Sequence, residues 1–266
     1  MRANNGTNVM DAETQKALDV EYHREAAATY DATVTRYFHF FHVHSLHPWA
    51  RRLIARRPGA TALDVGTGTG VVACTLAKFG FTARGIDHSP DMLGHASERA
   101  RTMGVSHSVQ FDLADGEKLP YPDASFDAVT IQGVIHHLPD AMPMLRESHR
   151  VLKPGGELYI SEPCREGTPI SRMLTASLAP IRWAKRLLGH RPAVEPSVSD
   201  HEEPVAGPVL VKQVQSLDMD TEVEYLIRTG LVKAFPERMK IWTTLLFSLP
   251  TRRSRGDIMF LIARKK

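Results

Sequence analysis

The chain has 266 residues, 42% hydrophobic and 24% charged, enough for one domain with an elaboration around a full core. Its formal net charge of +3 excludes a surface built throughout to hold a polyanion. Cys74 and Cys164 are the only cysteines, and two in a chain of this size read as free thiols in a reducing compartment.

The opening MRANNGTNVMDAETQ is polar and lacks the apolar stretch of a signal peptide. No apolar run approaches the roughly 20 residues that cross a bilayer, so the expected location is the cytoplasm. Residues 11–28 read as a helix, residues 37–49 are dense in aromatics and histidines, and residues 51–57 close a helix that Pro58-Gly59 ends. An α/β alternation follows. Residues 60–65 are a short apolar strand, 66–70 a glycine-rich turn, and 71–79 a helix with Gly80 just past its end. Further strands are expected at 82–87, 108–112, 127–132 and 157–161, with helices at 91–103 and 141–151 and a turn at 153–156. This spacing implies a parallel sheet covered on both faces. The alternation then breaks at Pro163, Pro169, Pro180, Pro192, Pro196, Pro204 and Pro208, which mark an insertion. A helix is expected at 221–229, then two strands within 231–249 and 257–264.

The most informative segment is LDVGTGTG, residues 63–70. Glycines after a strand allow a sharp turn and close approach of a ligand to the backbone. The free N–H groups of the next helix favour a negative group such as a carboxylate. Asp87 ends the next strand, where an acid can accept from two ribose hydroxyls. A dinucleotide-binding dehydrogenase is the main rival. Its glycines follow G-x-G-x-x-G/A, whereas here Val71 stands at the last position. Asp64 suits a ligand with a positive amino group better than a pyrophosphate.

Residues 64–70 resemble the first motif of class I S-adenosylmethionine-dependent methyltransferases. IDHSPDML (86–93), ADGEKLPY (114–121), SFDAV (125–129), HHLPD (136–140) and RVLKPGG (150–156) agree in order with the small-molecule branch that includes the quinone-biosynthesis enzymes, methyltransferase type 11. The resemblance covers residues 60–162. It implies a Rossmann-like, doubly wound, mostly parallel seven-stranded sheet, with S-adenosylmethionine as cofactor. It also divides the chain into a helical lid (1–58), the cofactor-binding core (59–162), a cap insertion after the fifth strand (163–210) and a C-terminal completion of the sheet (211–266). By position, Gly66, Thr67 and Gly68 pass under the methionyl part, Gly70 belongs to the same cofactor-binding turn, Asp64 holds the amino group, directly or through water, and Asp87 binds the ribose. His88 and Met92 lie beside sugar and adenine, Asp115 and Gly116 meet the adenine, and Gln132 sits near the reactive methyl. For Asp115 the competing reading is a turn cap; for His88 and Met92 it is plain surface placement or packing.

Methyl transfer needs the acceptor, methyl carbon and sulfur held in line, and a base only where the acceptor loses a proton. His136 or His137, just past the fourth strand, can serve as that base, with His136 preferred. His39, His42, His44 and His47 fall on different faces of a helix and carry no metal-binding spacing, so no metal site is expected. In the cap, Ile170, Met173, Leu174, Leu178, Ile181 and Leu188 recur at helical spacing among Arg165, Arg172, Arg182, Lys185, Arg186 and Arg191. Such a helix can touch an anionic membrane peripherally, but reads first as a lid with a buried stripe. The expected function is methyl transfer to an aromatic, lipid-like or secondary-metabolite small molecule. The alternatives are a nucleic-acid methyltransferase and a regulator that binds the cofactor without catalysis. Against the former, QGVI (132–135) lacks the Asn/Asp-Pro-Pro-aromatic motif, and no dense basic tail is present.

Overall fold

The computed structural model describes residues 45–164, 204–228, 248–251 and 258–266. Its strands are β1 (Thr61–Val65), β2 (Thr82–Asp87), β3 (Val109–Leu113), β4 (Phe126–Gln132), β5 (Leu152–Pro163), β6 (Met219–Arg228), β7 (Ser248–Thr251) and β8 (Ile258–Lys265). Its helices are α1 (His47–Arg56), α2 (Val71–Lys78), α3 (Pro90–Thr102), α4 (Met142–Val151) and α5 (Gly207–Gln215), with a single 3-10 turn at Ile135–His137.

All eight strands join one sheet in the order β3-β2-β1-β4-β5-β8-β6-β7. The first five are parallel, and β8, β6 and β7 continue the sheet antiparallel. The expected α/β sheet is therefore present, with one strand more than seven because β7 pairs along the outer side of β6. Strand order reverses between β1 and β4, and crevices for ligands open at such a reversal, beyond the carboxyl ends of the strands.

Successive side chains of a strand face opposite ways, and the two cores follow from that. Val129, Ile131, Leu158 and Ile160 pack with Met144, Leu145, Leu210 and Val214 from α4 and α5. Ala128 and Tyr159 pack on the other face with Trp49, Leu53, Val72, Leu76 and Ala100 from α1, α2 and α3. Trp49 fixes α1 to this face. Its indole Nε1 donates to Glu157 Oε2 at 2.8 Å, and Arg56 Nη2 donates to Oε1 of the same carboxylate at 2.6 Å. A buried indole donor and a buried carboxylate thereby satisfy each other. The helix α3 starts where the sequence signals it: the Ser89 side chain accepts from the Met92 N–H, Pro90 occupies the first turn, and Arg99 and Arg101 lie in the last.

Two expectations need correction. Residues 221–229 are expected as a helix, yet Met219–Arg228 is strand β6. Asp220, Glu222 and Glu224 are exposed while Met219 and Tyr225 are buried; the charges alternate with the period of a strand, and β8 and β7 pair on either side. The turn expected at 153–156 lies inside β5. That strand already pairs with β4 at Leu152, and a register shift with Gly155 at φ +69° takes up the extra residues. The helix α5 has no counterpart in the sequence reading. The helix expected at 11–28, the histidines at 39, 42 and 44, the basic cap stretch at 165–191 and most of 231–249 lie outside the described residues.

Candidate functional site

The carboxyl ends of β1, β2, β3 and β4 and the segments that follow them carry the expected cofactor-binding residues and His136, whereas 125–129 and 150–156 lie at the opposite end of the sheet. After β1 the chain turns through Gly66, Thr67 and Gly68 to Gly70, which caps the start of α2 in a left-handed conformation. The Thr67 N–H donates to Ile86 O at 2.8 Å, and Arg99 Nε from α3 donates to Thr69 O at 2.7 Å, so the turn is tied to its neighbours on both sides. Gly66 has φ +68°, and a Cβ there would lie 2.4 Å from Val134 Cγ2. Only glycine suits both the backbone angle and the contact. Gly68 differs: nothing stands within 4 Å of where its Cβ would be, so the crest of the turn faces open space.

Asp64 lies beneath this turn and is 2% exposed. Its Oδ2 accepts from Thr67 Oγ1 and its Oδ1 from Thr130 Oγ1, each at 2.6 Å. Burial pushes the carboxyl up to about 6, against the opposing pull of Thr130, Thr67 and the Ala73 backbone and with a further push from Asp87. Asp64 thus organises the turn and strands β1 and β4, and any bond it makes to a ligand comes in addition to the two hydroxyls. Asp87 ends β2. Its Oδ2 accepts from the Gly68 N–H at 2.8 Å and its Oδ1 from the Ser89 N–H at 2.9 Å, leaving each oxygen further acceptor capacity.

The remaining expected residues surround the same edge. His88 is exposed, with Nδ1 3.9 Å from Asp87 Oδ1. Met92 is buried in α3 at 1% exposure, in keeping with the packing reading. After β3, Leu113 is 62% exposed, an apolar surface beside Asp115. The Asp115 Oδ1 accepts from the Glu117 N–H at 2.9 Å, which makes an Asx turn. Gly116 packs so closely that a Cβ would lie 2.7 Å from both Val65 Cγ1 and Met144 Cε. Gln132 ends β4 opposite Ser161 of β5.

His136 follows in the 3-10 turn, its ring 4.1 Å from that of His137. Its Nδ1 lies 2.8 Å from Glu162 Oε2, and Glu162 Oε1 accepts the Val134 and Ile135 N–H groups at 2.8 and 2.9 Å. Glu162 is 1% exposed. The sequence reading passed over it, although an acid closing the apolar run Leu158-Tyr159-Ile160 at a ligand-binding edge is itself a signal. Thr130, the partner of Asp64, was also missed, since a threonine in a central strand reads as ordinary strand filling. Among the described residues no group of three or more His, Cys, Asp or Glu side chains is arranged to hold a metal ion.

The methyltransferase domain family matches residues 63–160. The match runs from β1 into β5 and takes in the helices between them. It is 43% identical to the methyltransferase GfsG of Streptomyces halstedii over 41% of this chain and 40% of that protein. It is 38% identical to the ubiquinone/menaquinone biosynthesis C-methyltransferase UbiE of Brucella anthropi, over 43% of this chain and 46% of the relative. The chain thus matches less than half the length of these relatives. In solved structures the fold recurs in the [4+2]-cyclase SpnF, with TM-score 0.54 and 22% identity, covering 81% of this chain and 80% of that one. A methyltransferase-type fold therefore serves more than one reaction, and the chemistry of this domain must be argued from its site.

Proposed function

We propose that the protein transfers the methyl group of S-adenosylmethionine to a small-molecule acceptor. The observation that carries this reading is the open glycine crest at Gly68 between two acids, Asp64 below it and Asp87 beside it. The site fits the cofactor group by group. The backbone N–H groups at the start of α2 suit its carboxylate. The buried negative charge of Asp64 is complementary to its amino group, and the remaining acceptor capacity of Asp87 suits the ribose hydroxyls. Leu113, Asp115 and Gly116 offer an apolar wall with a polar end for the adenine, and His88 borders the sugar.

When bound, S-adenosylmethionine supplies a methyl group already activated on a sulfonium. This chain's residues orient and exclude water. Glu162 holds the turn after β4, and Val134 of that turn packs against Gly66; Gln132 and His136 would thereby be held in place beside the bound cofactor. His136 takes a proton where the acceptor must lose one.

Both cysteines are buried, and two cysteines in a chain of this size fit a reducing compartment such as the cytoplasm. No helix among the described residues is long and apolar enough to cross a membrane. The near-neutral charge and the relatives named for small-molecule chemistry favour a small acceptor over a nucleic acid.

Calorimetric titration with S-adenosylhomocysteine tests the reading. Wild type is expected to bind it, and Asp87→Ala to lose about 10-fold or more in affinity, the size of a charge-assisted hydrogen-bond pair. Well-folded wild type that does not bind would overturn it.

A further inference from the structure

We propose that Glu162 is the positioning residue that fixes His136 with its proton on Nδ1, so that His136 Nε2 takes the proton of a hydroxyl on the acceptor. The inference rests on the methyl-transfer reading above and names the chemical class of acceptor.

The argument begins with Glu162 alone. Its side chain is wholly buried, and a buried carboxylate must have its lone pairs met by donors. Two of those donors are the Val134 and Ile135 N–H groups on Oε1. Backbone N–H groups can only donate, so they hold the carboxylate in place whatever His136 does. The other oxygen, Oε2, is thereby presented to His136 Nδ1 at 2.8 Å. An ionised carboxylate accepts and never donates, so Nδ1 carries the hydrogen. In the neutral ring the lone pair then stands on Nε2. Among the described residues, Glu162 from β5 and His137 from the same turn face the ring. The His136 side chain is 15% exposed, sheltered from bulk water but not sealed from the edge. The turn is tied to the cofactor cradle, because Val134, held through its N–H by Glu162, is the residue against which Gly66 packs.

A base so placed is needed by an acceptor whose nucleophile forms on loss of a proton. A hydroxyl is that case. Its O–H bond breaks, the proton bonds to Nε2, and the electron pair stays on the oxygen. For a phenol the pair also spreads to the ring carbons. That pair forms the new bond to the methyl carbon as the carbon–sulfur pair returns to sulfur, leaving S-adenosylhomocysteine. The imidazolium is held by Glu162 until it gives its proton to water. A neutral amine already bears its lone pair and gains nothing from such a base before transfer.

The test uses Glu162→Gln. The glutamine oxygen can still accept the two backbone N–H groups, while its amide N–H now faces Nδ1 and forces the hydrogen onto Nε2. Long-range proton–nitrogen spectra of histidine-labelled protein, assigned by the signals missing in His136→Gln, read the tautomer directly. Wild type is expected as the Nδ1–H form and Glu162→Gln as the Nε2–H form. The S-adenosylhomocysteine affinity is expected to stay within about threefold. Methyl transfer from labelled S-adenosylmethionine to catechol is expected to fall about 100-fold or more in kcat, with KM for the cofactor little changed. An Nε2–H tautomer in wild type, an unchanged tautomer in the variant, or methylation of benzylamine in preference to catechol would overturn the proposal while leaving cofactor binding intact. Wild type that binds no S-adenosylhomocysteine would sink the underlying reading instead, a result visible before any variant is made.

Discussion

Asp64 offers a quantitative check on how the glycine turn is built. Its folded carboxyl is pushed up to about 6 by burial, against an ordinary value of 3.8. The sign follows from which state binds the proton more tightly. The folded state does, so Asp64 contributes most favourably below about pH 4, where it is protonated in both states. That contribution is lost as pH rises through about 6. About two units at about 1.4 kcal/mol each give a loss of roughly 3 kcal/mol by pH 8, of which about 2 kcal/mol falls between pH 4.5 and 7.5. Asp64→Asn removes the titration and keeps the size of the side chain. Urea unfolding of both proteins across that range is the assay. Other groups titrate in both proteins alike, so the difference in unfolding free energy isolates Asp64. It is expected to shift in favour of Asp64→Asn by about 2 kcal/mol between pH 4.5 and 7.5. A difference that stays flat to within about 0.5 kcal/mol would refute the picture of a charge buried at a cost beneath the turn.

Gly66→Ala is expected to destabilise by about 2–4 kcal/mol, from a left-handed backbone angle and a clash with Val134. It is also expected to abolish S-adenosylhomocysteine binding; unfolding curves and calorimetry measure the two effects. At the opposite end of the sheet, Asp127 is held down to about 2 although burial alone would raise it, because Lys153 and Thr61 stabilise the charge. Allowing for partial solvent screening, Asp127→Asn is expected to cost about 1–2 kcal/mol at pH 7. That difference should shrink as pH falls from about 4 towards 2, which pH-dependent thermal unfolding reads.

The first five strands were legible because most are short runs punctuated by glycine, proline or aspartate, and Asp87 at the end of β2 and Asp115 just past β3 mark the edge where the ligand sits. The glycine turn, Asp64 and Asp87 were legible for the same reason, since their chemistry is local. What tertiary contacts decide was not legible. Thr130 acquires its role only because β4 lies beside β1, and Glu162 only because the turn after β4 folds back over the end of β5. In 221–229 the glycine at 230 suggested a helix stop, while the exposed acids at Glu222 and Glu224 already kept the period of a strand. The bulge near Gly155 was read as a turn because glycine and proline punctuate both.

The place of β8 has a consequence for how the protein is made. It is the last of the eight strands to leave the ribosome, yet it lies between β5 and β6. Until it emerges, β5 keeps a bare hydrogen-bonding edge and the β6–β7 ribbon has nothing to join, a pairing hazard during synthesis. The glycine turn and the five parallel strands can assemble first, while the outer antiparallel part waits for residues 258–265. Loss of those few residues would therefore detach two further strands and strip the partner from β5.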